Sequence, residues 1–233
     1  MKRKRKYRTE SIIFGFGVEG QCEKLYLEHL QKLINDCKDK KYPVQFKIRV
    51  HKKPAILDQL LCTDSDVQLF YLWDREGNSS SDNTCFCTVC KELEKFKNYN
   101  IMPGYVNLTF ELWLLLHLVD GQGYISTKDA YLDYINTFFS TNFENLDDYK
   151  KEPNFKKILD KIELKHVAEA VHRGNRIRNA HRERGDKHTQ VLGYKCYHTN
   201  PDLLLHECIS KIFNMCGLDL KVFNRISCNT PMS

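Results

Sequence analysis

The chain has 233 residues, of which 42% are hydrophobic and 28% charged, enough to bury a core unaided and outside the collagen-like, disordered and membrane classes. Its longest apolar run, residues 110–119 (FELWLLLHLV), is interrupted by Glu111 and is half the ~20 residues a membrane span needs. The formal charge of +6 is unevenly spread: residues 1–8 hold six Lys/Arg, residues 150–188 hold twelve against six acids, and the remainder is net acidic. An acidic body with two basic arms suits carboxylates gathered at a metal site and cations tracking a polyanion, although solvated basic faces give the same totals.

The first ten residues are basic like the start of a signal peptide, but the apolar stretch behind them contains two glycines and runs straight into Glu19. The expectation is therefore a reducing cytoplasm, with the 10 cysteines as thiols. Residues 11–18 (SIIFGFGV) predict a buried strand, 23–37 a helix with a Leu25/Tyr26/Leu30/Leu33/Ile34 stripe, and 44–50 (VQFKIRV) a half-exposed strand. Residues 54–61 predict a helix opening on proline, and 67–73 (VQLFYLW) a second buried strand ending in Asp74-Arg75-Glu76-Gly77. This rhythm predicts a parallel sheet covered by helices.

Further on, residues 84–90 form a cysteine-rich loop in which Cys85, Cys87 and Cys90 fall one ligand short of a structural zinc site, leaving Zn2+ there the weaker reading. Residues 89–97 predict a helix, 101–107 a strand edge, and 109–119 an apolar helix stopped by Gly121 and Gly123. Helices follow over 127–139 and 153–184, and Asn200-Pro201-Asp202 is expected to cap a last helix through Met215. The division is a basic arm (1–10), an α/β core (11–125) and a helical, basic C-terminal portion (126–233) packed on it.

Gly15-Phe-Gly17-Val-Glu-Gly20 is a literal GxGxxG. However, its glycines lie inside the strand, and the next strand ends in His51-Lys52-Lys53 where a dinucleotide site needs an acid. Carboxylates at strand C-termini are the better candidates, because open parallel sheets bind ligands there. Glu19 follows the first strand; Asp74 and Glu76 follow the third and, if extended, point to the same side. Such acids repel one another unless a cation neutralises them, and all-oxygen ligation suits Mg2+ or Mn2+; as isolated residues they would simply be solvated.

Glu111, a charge in an apolar helix, either faces that acidic site, as a fourth metal ligand, or sits exposed at the first turn, favoured by the helix dipole. His117, about 240° further round the helix, reads as a hydrogen-bonded core histidine. Glu23, one turn past Glu19, supports the site or lies on the surface. Within 166–188, His172, Arg173, Arg176 and Arg184 recur on one helix face, and Arg173, Arg176, Arg178, Arg182 and Arg184 are the candidates for gripping phosphates.

The VEG glutamate at a strand-to-helix turn and the later hydrophobic strand ending in two acids resemble the Toprim motif of primases, topoisomerases and OLD-family nucleases. More closely, the chain resembles the RloB-like proteins of prokaryotic phage-defence loci, which include the second component of the AbiL abortive-infection system. The matching segments are RKRKYR, GVEGQCEKLYLEHL, LFYLWDREGN, NLTFELWLLLHL and Asn200-Pro201-Asp202, from residue 3 to about 213. Glu76 stands where many Toprim sequences have Asp, and the cysteine segment maps to no family feature.

The resemblance implies a Toprim-like α/β fold and a Mg2+- or Mn2+-dependent nuclease with Glu19, Asp74, Glu76 and Glu111 at its centre. It further implies nucleic acid as substrate, RNA favoured over DNA and transfer RNA included, and an ABC-like (OLD-like) ATPase sensor as partner; a homodimer is compatible with it. A non-catalytic nucleic-acid-binding subunit and a nucleotide-cofactor enzyme remain the alternatives.

Overall fold

In the computed structural model of the chain, residues 10–61, 67–77, 79–120 and 127–220 are described. The basic segment 1–9 and the helix-stopping Gly121 and Gly123 lie outside them.

Strand β1 (Ile12–Val18) leads through Glu19-Gly20 into α1 (Gln21–Asp36), and β2 (Val44–Val50) returns parallel to β1 in the register Ile12–Val44 through Val18–Val50. A 3-10 turn (Pro54–Ile56) and α2 (Leu57–Leu61) precede β3 (Gln68–Leu72), which pairs with the other side of β1. Helix α3 (Ser80–Glu94) carries the chain to β4 (Ile101–Pro103), the edge strand beside β3. The result is a four-stranded parallel sheet of order β2-β1-β3-β4 flanked by helices, a Rossmann-like arrangement that accords with the Toprim-like expectation.

The composition of β1 explains how both faces are covered. Phe14, Phe16 and Val18 alternate onto one face, where Phe16 stacks on Phe70 at 5.0 Å between ring centres. Gly15 and Gly17 alternate onto the other, and both are needed there. A Cβ on Gly15 would stand 2.5 Å from Leu69 Cδ2, and one on Gly17 2.8 Å from the Tyr71 ring and 2.9 Å from Ile56. These glycines admit the layer of α2 and α3; they do not form a phosphate-binding turn.

Beyond β4 the chain keeps running beside the end of β3. Val106 N donates to Trp73 O (3.0 Å), Arg75 N to Val106 O (2.9 Å) and Glu76 N to Leu108 O (3.0 Å). The segment expected as one strand edge is thus β4 plus a short β5 (Val106–Asn107), and it delivers the chain to the C-terminal edge of the sheet, where α4 (Glu111–Leu115) begins.

The C-terminal part differs from the helical expectation. Helices α5 (Ala130–Phe138), α6 (Leu146–Lys150), α7 (Glu152–Leu159) and α8 (Leu164–Arg184) precede a hairpin of β6 (His188–Val191) and β7 (Tyr194–Tyr197). Then β8 (Asp202–Leu203) pairs antiparallel with β5 before α9 (Leu205–Cys216) closes on Gly217 in the left-handed conformation, φ 77°. Asp202 is a strand residue rather than a helix cap, because its buried carboxylate is needed by Arg178 and by the Tyr197 amide.

One apolar core joins the Phe14–Phe16 face of the sheet to α1, α4 and α5–α9, and a second lies beneath α2, α3 and the hairpin. Gly174 of α8 lets α9 approach closely, since a Cβ there would be 2.7 Å from His206. Among the described residues no helix is long and apolar enough to cross a membrane.

Candidate active site: a carboxylate cleft at the sheet edge

The strand order reverses direction between β1 and β3, and this is where open parallel sheets leave a crevice beyond their C-terminal ends. A cleft of about 290 Å3 lies there. Its walls hold Glu19 after β1, Glu23 in the first turn of α1, Asp74 and Glu76 after β3, and Glu111 at the start of α4, with Lys52 and Lys150 as the facing cations.

Hydrogen bonds orient these groups. The Asp74 backbone N–H donates to Glu19 Oε2 (3.4 Å), tying the ends of β1 and β3 together. The Thr109 hydroxyl, buried, reaches both Asp74 Oδ2 (3.3 Å) and Glu111 Oε2. Glu23 folds its carboxylate back onto the backbone N–H groups of Gly20 and of itself, at the positive end of α1. Lys150 of α6 stands 3.9 Å from Glu111 Oε1, and Lys128 donates to Glu76 Oε1 at 3.1 Å.

Between Asp74 and Glu76, Arg75 turns the opposite way. Its buried guanidinium bonds Tyr197 O (3.2 Å) and Asn83 Oδ1 (3.0 Å) and lies 4.8 Å over the Phe86 ring, so the acidic loop is anchored from behind. The backbone is not extended through Glu76, which has φ 64°, so Glu76 occupies the exposed rim while Asp74 is half-buried.

Crowding of acids in a partly dry crevice sets their protonation. Burial, with Glu23 and Glu76 adding repulsion, raises Glu19 to about 7. Asp74 is pushed well above the usual carboxylate range by burial and by Glu23, Glu111 and Glu19, and Glu23 is raised by burial and by Glu111. Burial, with Glu23 and Glu111 nearby, pushes the Cys22 thiol up to about 12, so it stays protonated and the anionic donors of the cleft are all oxygens. That donor set suits a hard divalent cation. Among the described residues, no three His, Cys, Asp or Glu side chains stand as a ready ligand set, so binding an ion requires the carboxylates to close in.

Glu19, Asp74, Glu76 and Glu111 thus meet at one cleft. Glu111 lies in a first helical turn but is 2% exposed and lines the acidic cleft, so it is not the exposed first-turn residue of the alternative reading. His117 is a core histidine: it meets the Tyr26 hydroxyl (3.1 Å) and the Trp113 carbonyl (2.9 Å), and burial lowers it to about 3. Glu23, Thr109, Arg75 and Lys150 complete the site. Glu23 was legible as a turn-spaced neighbour of Glu19, whereas Lys150 comes from a distant helix with no local signal.

The arginine stripe needs correction. Arg178 is 3% exposed, bonded to both oxygens of Asp202 (3.0 and 3.2 Å) and packed over Tyr197, so it cannot present itself to a phosphate. Arg173 holds Asp120 (3.0 Å) and the Leu116 carbonyl (2.8 Å), and Arg176 shares Asp120. Arg184 is paired with Asp186 at 2.8 Å, and Arg182 stands 3.9 Å from Glu207. The cysteine segment is also not a loop: Cys85, Cys87 and Cys90 lie on α3, the first two exposed and the third buried, because Ser79 and Asp82 start the helix with a capping box. On that helix they stand on different sides and do not converge on one ion.

The RloB-like protein family model matches residues 16–208. The chain belongs to the RloB-like family. No curated protein and no solved structure matches it significantly. All the cleft residues of this RloB-like chain, from Glu19 to Lys150, fall inside the matched span.

Proposed function

We propose that this RloB-like chain hydrolyses phosphodiester bonds of nucleic acid, RNA ahead of DNA, with Mg2+ or Mn2+ held by Glu19, Asp74, Glu76 and Glu111. The observation that carries this reading is the convergence of carboxylates from separate chain segments at the switch point of the sheet, where burial and mutual repulsion raise Asp74 and Glu19. That repulsion opposes folding, and a bound cation would offset it. When bound, the ion would supply a more acidic water and stabilise charge on the phosphate oxygens. Glu19 and Asp74 are held to each other through the Asp74 amide, and Thr109 orients Asp74 and Glu111, which in this reading completes the ion's shell or accepts a proton from the attacking water. Lys52 and Lys150 flank the acids and attract phosphate oxygens.

Family resemblance extends the proposal to a toxic effector of phage defence by abortive infection, controlled by an ABC-like ATPase. The absence of a ready ligand set among the described residues favours a second reading, a non-catalytic nucleic-acid-binding subunit. Sequencing RNA and DNA ends from cells briefly expressing the wild type or Asp74→Asn separates the two. Hydrolysis predicts new ends with the wild type alone; identical end profiles would favour the binding subunit.

A further inference from the structure

A groove of about 670 Å3 opens beside the carboxylate cleft, and Lys52 lines both. One wall is a single face of α3: Ser81, Thr84, Cys85, Thr88, Val89 and Glu92 fall at the helical spacing of three and four residues. The opposite wall is Lys52, Lys53 and Pro54, where the chain leaves β2 for the 3-10 turn. Neither lysine is held in an ion pair among the described residues, unlike the α8 arginines, each of which has an acidic neighbour.

The two walls differ in chemistry. Two ammonium groups line one side and can bond phosphate oxygens without reading sequence, whereas on the other the Thr88 hydroxyl donates to the Thr84 carbonyl (2.9 Å) and Ser81 Oγ meets Ser79 Oγ (2.8 Å). Between them Pro54, Val89 and the threonine methyls make an apolar surface on which the face of a base can rest. Glu92 repels phosphate, which keeps the backbone to the lysine side. A duplex holds its base faces inside its own stack and has none to offer this surface.

We infer that this groove is the track of a single unpaired nucleic-acid strand, its phosphates on Lys52 and Lys53, leading at Lys52 into the carboxylate cleft. The inference rests on the hydrolase reading of that cleft. It places strand recognition on a surface built by β2 and α3, away from the α8 arginines.

Cys85 lies in the groove and Cys87 outside it, both exposed on the same helix, so they form an internal pair of reporters. The full chain is alkylated with N-ethylmaleimide, with and without Mn2+, beside a nuclease-resistant 2′-O-methyl phosphorothioate strand, the same strand paired with its complement, a DNA strand, or poly-glutamate. Tandem mass spectrometry reads each thiol. The groove predicts that either single strand slows Cys85 at least ~10-fold, as a site nine-tenths filled requires, while Cys87 keeps its free rate. Lys53→Ala should lower the log–log salt slope of strand binding by about 0.7, one phosphate contact.

Unchanged alkylation of Cys85, equal shielding by duplex or poly-glutamate, or equal shielding of Cys87 would overturn the groove. If nucleic acid is cleaved in Mn2+ while Cys85 stays unshielded, the groove fails and the hydrolase reading stands. If Cys85 is shielded but Asp74→Asn cleaves like the wild type, the groove stands and the hydrolase reading fails.

Discussion

Glu111 sits in a helix whose other residues are apolar, and what keeps it there is the Thr109 hydroxyl on one oxygen and Lys150 near the other. Glu111→Gln preserves size and hydrogen bonding and removes the charge. Hydrolysis should therefore fall at least ~100-fold, the scale of a lost general base or metal ligand, with the melting temperature kept. Activity near wild type would return Glu111 to a dipole-favoured first-turn residue. Glu19 gives a pH prediction with a definite sign. Its folded pKa of about 7 lies above the 4.5 of an unperturbed glutamate, so between those values the folded protein binds more protons than the unfolded chain and stability is lost as pH rises. Without divalent cation, the melting temperature should fall by a few degrees from pH 5 to 7.5, at about 2–4 °C per kcal/mol for a chain of this size. Mn2+ should reverse the fall at pH 7.5 and do little at pH 5; a melting temperature that rises across this window, or ignores Mn2+, would contradict the coupled carboxylates.

At the level of elements, β1 serves two purposes at once, because its large residues fill one face and its glycines thin the other. Gly17→Ala places a Cβ against both Tyr71 and Ile56, an overpacking worth about 1–3 kcal/mol in a chevron or denaturant melt. Nucleotide affinity gained or lost by this change, rather than stability, would reinstate the GxGxxG as a binding loop. The strands and first helices were legible because their periods are clean: SIIFGFGV, VQFKIRV and VQLFYLW each carry their structure within a few residues. The hairpin β6–β7 and the tiny β5–β8 pair were not, since His188–Val191 and Asp202–Leu203 owe their pairing to tertiary neighbours. The cysteine segment misled because residues 77–84 (GNSSSDNT), which lead into it, are turn formers that read as a loop, whereas Ser79 and Asp82 among them initiate a helix that runs through all three cysteines.

Across the whole molecule, the buried Arg178–Asp202 pair fastens α8 to the β7–β8 segment, and through β8 to β5 beside the acidic loop. Arg178→Ala strands the Asp202 carboxylate and should cost about 3–5 kcal/mol, read by chemical denaturation; a loss under ~1 kcal/mol would mean the pair is solvated. From sequence the arginine counted among the phosphate-gripping candidates, since a basic helix does not say whether solvent or an aspartate from later in the chain meets a given side chain. Glu19, Asp74 and Glu76 were legible because strand ends in a parallel sheet share an edge, and Glu111 as a charge in an apolar helix, while Thr109 could be placed only once β5 was seen to extend alongside β3, and Lys150 only once α6 was seen to reach Glu111. The central claim is that this edge hydrolyses phosphodiesters through its carboxylates. Its most direct test is the rate at which purified wild type and Asp74→Asn cleave single-stranded RNA and DNA in Mn2+: cleavage by the wild type with at least ~100-fold loss in the variant is predicted, and equal rates, or no Mn2+-dependent cleavage by either, would contradict it.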